Sequence, residues 1–312
     1  MENEKFMGLD TFFVGAGAIG SFYSSRLKKL GVSVGIQSSH AETMSKNGIF
    51  VKSLGDDYLF VSDFSCKDIP KQSVSDIVFI TTKVLKGSST PRDIKPLIGK
   101  NTVIVLLQNG IGIENEYSEL YPNTTIISGL AFICVSRISP THIVHQSHGR
   151  LVFGVFQESS ARSGADIVNQ LSKWFNSAGV ACKSTPSILR ERFKKLVWNA
   201  AFNPLSVLNG DKNTAELLNE SEGTLRAAMA EVCFLAKVYK CPLNSELVDF
   251  MIDDTRKMPA YETSMLLDKK NGRSLEVQAI LGNALEMASL KNIELPVLKG
   301  FHERLVLKGY TN

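Results

Sequence analysis

A short apolar run, Thr11–Val14, leads directly into Gly15-Ala16-Gly17-Ala18-Ile19-Gly20, and a helical pattern then runs from Ala18 to Leu30 and stops at Gly31. Glycines at this spacing, between a strand and a helix, constrain the chain more than any other feature. The first permits a tight turn, the second lets the backbone approach a pyrophosphate, and the third lets helix and strand pack closely. Amide N–H groups at the helix start, helped by the helix dipole, then form an anion site. Gly15, Ala16, Gly17, Ala18, Ile19 and Gly20 therefore read as a dinucleotide-binding turn, against the alternative of a glycine-rich structural turn.

The rest of the first half repeats the strand–helix rhythm. Val32–Ile36 is a second short strand pattern, and Ile77–Thr81, Val103–Leu107 and Thr125–Ser128 are dense aliphatic runs of the kind buried on both faces of a parallel sheet. The alternation predicts a doubly wound, Rossmann-type sheet. Between Ile143 and Phe153 the pattern predicts two strands meeting near Gly149, then a helix over Ala165–Ala178 and a last strand at Val180–Lys183. Beyond Pro186 nearly everything reads as helix, punctuated by glycine and proline. The expected organisation is a dinucleotide-binding domain over residues 1–186 and an all-α domain over 187–312.

Composition excludes several classes. Against 35 basic residues stand 31 acidic ones, a net charge of +4, and the basic residues are dispersed, so neither nucleic acid nor a membrane surface is expected as a partner. No apolar run approaches the ~18 residues that span a bilayer. The charged stretch Met1–Asp10 has no signal-peptide core, so the chain is expected to be cytoplasmic. The five cysteines are odd in number and lack metal-ligand spacing, which suits reduced, mostly buried thiols. The spacing of three between His142, His145 and His148 invites a metal reading, but Thr141–Gly154 alternates like a hairpin, so no metal site is expected.

An acid at the end of the second strand would take ribose hydroxyls, and an arginine would take a 2′-phosphate. This chain has Gln37-Ser38-Ser39-His40 there, so the usual argument for NAD and that for NADP are both absent; the serine hydroxyls, His40 and Lys46 could still bind a phosphate, against the alternative of a solvated loop with no role.

Other motifs lie at strand ends, where open α/β sheets bind ligands. Thr82-Lys83 follows one strand and Gln108-Asn109-Gly110-Ile111-Gly112 another, with Glu114 soon after. The helical half opens with Lys194-Lys195-Leu196-Val197-Trp198-Asn199-Ala200-Ala201-Phe202-Asn203-Pro204-Leu205, and Ser264 and Glu276 come later. On a helix, Asn199 lies about 40° and Asn203 about 80° around from Lys195, so the three share a face. A ketone receiving hydride develops negative charge on oxygen, which a lysine can stabilise and protonate, while amides can hold a carboxylate. Pro204 lacks an N–H and is expected to kink or open that turn.

In this order and spacing the motifs resemble the ketopantoate reductase family over nearly the whole chain, with K-L-x-x-N-x-x-x-N-P-L the specific part. The resemblance implies NADPH-dependent reduction of 2-dehydropantoate to (R)-pantoate, a step toward coenzyme A, with substrate between the two domains. It implies Lys195 as proton donor and Glu276 as the second catalytic residue, also placed at the cofactor. Asn109, Asn199, Asn203, Asn213 and Ser264 would bind substrate, and Gln37, Lys83, Asn109 and Cys134 would contact the dinucleotide. The chain departs from the family pattern at Gln37, commonly arginine, and at Gln278, usually aspartate. NADH use, reduction of another 2-keto acid, and a non-catalytic dinucleotide-binding regulator are the alternatives weighed. Monomer or homodimer is left open by the sequence.

Overall fold

In a computed structural model that describes residues 10–310, the chain forms two compact units. The N-terminal charged stretch up to residue 9 lies outside the described residues. The first unit comprises residues up to Thr82, Ser89–Gln108 and Glu114–Ile188. The second comprises Leu189 onward together with two short segments, Lys83–Ser88 and Asn109–Ile113. A single cut near residue 186 thus misses two loops that leave the sheet and belong to the helical unit.

In the first unit the elements run β1 (Thr11–Val14), α1 (Ala18–Lys28), β2 (Val34–Gln37), α2 (Ala41–Asn47), β3 (Ile49–Lys52), β4 (Tyr58–Phe60), β5 (Phe64–Cys66) and β6 (Ile77–Ile80). They continue as α3 (Thr90–Asp93), β7 (Val103–Leu106), α4 (Asn115–Leu120), β8 (Thr125–Ser139), β9 (His142–Gln157), α5 (Gly164–Ser177) and β10 (Cys182–Ser184). The sheet order is β4-β3-β9-β8-β7-β6-β1-β2-β5, with β10 also on β9. From β5 through β1 to β8 all neighbours are parallel, and every residue of β1, β6 and β7 is buried. This is the two-faced burial that their unbroken aliphatic runs require. Ile167, Leu171 and Phe175 of α5 share one apolar face and pack into the core that Phe13, Phe79 and Phe153 fill.

The hairpin differs from expectation. Its strands are β8 and β9, turning at Pro140-Thr141, and His148-Gly149 is an irregularity inside β9. Both residues there have positive φ, 62° and 123°, and the register slips between Phe132 and Ile133, as at a β-bulge. The glycine that reads as a turn is a bulge glycine. Tyr23 Oη donates to its carbonyl at 3.0 Å. His145 is buried beside it, bonded to Ser53 Oγ and the His148 carbonyl, and burial holds its pKa below the ordinary value.

The second unit is helical: α6 (Ile188–Leu208), α7 (Thr214–Val238), α8 (Leu247–Lys257), α9 (Ser264–Lys270), α10 (Asn283–Ser289) and α11 (Pro296–Leu307), with a π-helical turn at Gln278–Gly282. α6 begins one residue ahead of that unit and continues through Pro204 without a break, although proline leaves the Ala200 carbonyl without its helical donor. α7 opens with a full capping box and kinks at Ser221, where Asn209 Nδ2 donates to Ser221 Oγ. Among the described residues no helix is long and apolar enough to cross a membrane. No group of His, Cys, Asp and Glu there has metal-holding geometry. No disulfide joins the cysteines; Cys182 and Cys241 are buried and the other three half-buried.

Candidate active site

In the first unit the glycine turn meets each of its steric demands differently. Gly15 has φ +92°, and a Cβ there would stand 2.6 Å from Thr82 Cγ2 and 2.9 Å from Thr82 N. At Gly20 a Cβ would stand 2.4 Å from the Gly15 carbonyl oxygen and 2.5 Å from Thr81 Oγ1. A Cβ at Gly17 would meet nothing nearer than 4.0 Å. The outer glycines are therefore required by the protein's own packing, and the middle one faces open space. Gly17 caps α1 without a side-chain bond and the first turn carries no acid. Gly15 N, Ala16 N and Gly17 N donate to the Gln37 and Gly15 carbonyls, so the N–H groups left to hold a pyrophosphate are those that open α1.

The end of β2 closes this loop. Gly15 N donates to Gln37 Oε1 at 3.1 Å, and Gln37 Nε2 donates to the Lys67 carbonyl at 2.9 Å. Gln37 is thus a strut between the glycine turn and the segment after β5. Ser38 is buried, its hydroxyl accepting from His40 N. Beside Gln37 lies a cavity of about 370 Å³ with Val14, Lys67, Asp68, Thr82 and Asp93 in its wall. Cys134 lies on β8, half-buried, donating to Gln146 Oε1.

In the second unit a polar cluster gathers side chains from distant segments. Ile80 and Leu106 pair at the carboxyl ends of β6 and β7, and Lys83 and Asn109 each lie three residues beyond. Lys83 Nζ pairs with Asp268 at 2.7 Å and donates to the Ser274 carbonyl at 2.9 Å. Lys195 Nζ donates to Asn109 Oδ1 at 2.8 Å, and Asn109 Nδ2 donates to Glu276 Oε2 at 3.2 Å. Glu276 Oε1 accepts from Val84 N at 3.3 Å. Burial pushes the Glu276 carboxyl up, opposed by the Asn109 amide, the Lys83 charge and the Val84 N–H, and aided by Asp268. Lys194, one residue away, is exposed.

The Asn109 segment is pinned by backbone. Ile111 N donates to the Ala279 carbonyl, Asn283 Nδ2 donates to the Ile111 carbonyl, and Gly110, at φ +102°, would put a Cβ 2.4 Å from Ala279 O. The π-helical turn supplies that carbonyl, in keeping with the placement of π-turns at functional sites. Arg192, 1% exposed, donates to the Gly110 carbonyl at 3.1 Å.

The structure thus brings Lys195, Asn109, Glu276 and Lys83 together. Asn203 lies two turns on from Lys195 along α6, 2% exposed, and its Oδ1 has no partner among the described residues. Asn199 is half-buried one turn from Lys195 on the same helix. Asn213 is the N-cap of α7, its Oδ1 accepting from Ala215 N and Glu216 N, which leaves only its amide donors for another task. Ser264 is exposed at the first position of α9. Gln278 bonds Asn283 and Glu286 and so acts within its own turn. Sequence reasoning missed Arg192 and the pairing role of Asp268. The first stands in a helix pattern with no sign of burial, and the second is only a motif position until Lys83 is seen against it.

The family models for ketopantoate reductase PanE/ApbA and its C-terminal part match residues 12–158 and 187–308. The chain is 30% identical over 295 residues to the 2-dehydropantoate 2-reductase of Nostoc sp., covering 94% of this chain and 92% of that protein. The crystal structure of 2-dehydropantoate 2-reductase from Methylococcus capsulatus superposes with a TM-score of 0.88 at 36% identity, covering 97% of each chain. The corresponding Geobacter metallireducens structure gives 0.87 at 29% identity, covering 96% of this chain and 99% of that one.

Proposed function

This chain belongs to the ketopantoate reductase family, and we propose that it reduces 2-dehydropantoate to (R)-pantoate with NADPH. The observation that carries the reading is the hydrogen-bonded series from Lys195 through Asn109 to Glu276. It matches what ketone reduction asks of a protein: a cation at the carbonyl oxygen, held in line by a polarised amide.

The glycine turn and the free N–H groups of α1 would hold the pyrophosphate, making the first unit the dinucleotide-binding domain and the helical unit the substrate domain. The dinucleotide, when bound, supplies a hydride to the carbonyl carbon. Lys195 neutralises the charge that develops on the carbonyl oxygen and gives that oxygen its proton. Asn109 fixes the ammonium through Oδ1, and Glu276 fixes Asn109 through Nδ2, so Glu276 acts on geometry more than on proton supply. The unpartnered Oδ1 of Asn203, with the amide of Asn199, would hold the substrate's polar groups along α6. Ser264 and the free donors of Asn213 would complete that site, and Lys83, held by Asp268, and Cys134 would contact the cofactor.

Purified protein should oxidise NADPH in the presence of 2-dehydropantoate faster than with other 2-keto acids. A higher kcat/KM for a different 2-keto acid would move the substrate assignment and leave the reaction class standing. No oxidation with any of them would end the enzymatic reading.

A further inference from the structure

The end of β2 lacks the arginine that would take a 2′-phosphate, and the structure engages three of its possible substitutes elsewhere, leaving Ser39 and His40 as neighbours without a fixed charge. Both ends of the Gln37 amide are used within the fold, toward Gly15 N and the Lys67 carbonyl. Ser38 is buried in its own turn. Lys46 is paired with Glu42 at 2.9 Å.

We propose that Lys67, at the end of the neighbouring parallel strand, is the cation that receives the 2′-phosphate of NADPH and so sets the cofactor preference of this protein. The inference rests on reading the glycine turn as the dinucleotide site. β5 pairs with β2 at Gln37↔Cys66, so Lys67 is the next residue beyond the level of Gln37. The Gln37 amide ties the Lys67 peptide to the same loop that ties Gly15 N, so one side chain fixes the lysine's backbone relative to the pyrophosphate turn. Lys67 lines the cavity beside Gln37 and, among the described residues, is the one cation in that wall. Its side chain is exposed and forms no ion pair among the described residues, unlike Lys28, Lys29 and Lys46 of this unit.

The same wall holds two carboxylates, Asp68 and Asp93, the latter accepting from Ser89 Oγ. Without Lys67 the charged groups left in that wall would both be negative. It would still offer carboxylates to the hydroxyls of an unphosphorylated ribose. Removing one positive charge should therefore reverse the preference rather than merely weaken it.

The test is direct binding, by fluorescence titration of NADPH and NADH against the protein without substrate. Wild type should bind NADPH more tightly than NADH. Lys67→Ala should weaken NADPH by about tenfold or more, the scale of a lost charged phosphate contact, with NADH changed less than about twofold and the order of affinities inverted. Lys67→Arg should keep the NADPH affinity. Raising ionic strength should weaken NADPH more than NADH in wild type, a difference lost in Lys67→Ala. Equal weakening of both dinucleotides, an unchanged NADPH affinity, or a wild type that favours NADH would overturn the assignment while leaving the dinucleotide site intact. If neither dinucleotide binds wild type, the reading of the glycine turn falls first and this one with it.

Discussion

The glycine turn of the first unit and the polar cluster of the second are built on opposite principles. The turn is local: residues 15–20 form it, and its demands are steric, with Cβ atoms excluded at Gly15 and Gly20 by backbone and threonine neighbours. The cluster is assembled from residues 83, 109, 195, 268 and 276, and its demands are electrostatic. Side chains can supply charge at a point, but only converging segments can bring several charges to one point. The first design tolerates almost no substitution at two positions. The second tolerates isosteric changes that keep the geometry and fails when one member is truncated.

The largest effect should come from the cluster. Lys195→Ala should lower kcat by about 10²-fold or more, the scale of a lost positioned acid, while dinucleotide affinity survives because the glycine turn is untouched. Lys194→Ala, at the exposed neighbouring position, should be nearly silent. Equal losses in the two variants would remove Lys195 from the mechanism and make Lys83 the next candidate.

The turn should break in two distinguishable ways. Gly20→Ala puts a methyl 2.4 Å from a backbone oxygen, so both thermal stability and dinucleotide affinity should fall. Gly17→Ala puts a methyl into open space, so the melting temperature should stay and only dinucleotide binding should weaken, by about tenfold if the methyl costs a close phosphate contact worth ~1.4 kcal/mol. A Gly17→Ala protein that binds dinucleotide normally would mean that the space in front of Gly17 is not where the pyrophosphate lies.

The same contrast explains what could be read from the sequence. The turn, the buried parallel strands and the all-helical half are legible because contiguous residues impose them. The bulge at His148-Gly149 was not, because a positive φ at glycine serves a turn and a bulge alike and only cross-strand register separates them. Lys195, Asn199 and Asn203 are legible as a helix face. The partner of Lys195, Asn109, is nearly ninety residues away along the chain; its strand-end position and the resemblance mark it as a site residue, but not this contact. The capture of segment 109–113 by the helical unit rests on the Ala279 carbonyl, the Asn283 amide and buried Arg192, and that of 83–88 on Asp268, the Ser274 carbonyl and Glu276, groups whose sequence context carries no periodic signal. Gln37 and Gln278 look like departures from a binding pattern, and in the structure each ties its own loop.

A smaller effect separates two tasks of one residue. Asn213 caps α7 through its side-chain oxygen, so Asn213→Ala should cost about 1 kcal/mol of stability. Asn213→Asp keeps an acceptor and removes the donors. If those donors also hold substrate, Asn213→Asp should retain the melting temperature and raise KM. An unchanged KM in Asn213→Asp would confine Asn213 to the cap.

The smallest effect concerns Glu276 and is a matter of sign. Burial raises its carboxyl pKa above the unfolded value of about 4.3. As pH falls, the folded protein therefore takes up this proton before the unfolded chain does. The stability that Glu276 contributes is full below the unfolded value and is lost as pH rises through the folded one. His145 in the first unit has the opposite sense, since burial lowers its pKa, and its contribution is present above about 6.5 and lost as pH falls. Comparing wild type with Glu276→Gln cancels His145. The stability of wild type relative to the variant should decline as pH rises above the ordinary carboxylate range and level off once the folded carboxyl has ionised. Activity should run the other way. Only the ionised carboxylate accepts fully from both Asn109 Nδ2 and Val84 N, so the acid limb of kcat/KM should lie above the ordinary carboxylate range and vanish in Glu276→Gln. An acid limb that persists in Glu276→Gln would assign that titration to another group. A relative stability that climbs with pH would mean that the Lys83 charge and the Asn109 bond outweigh burial at Glu276.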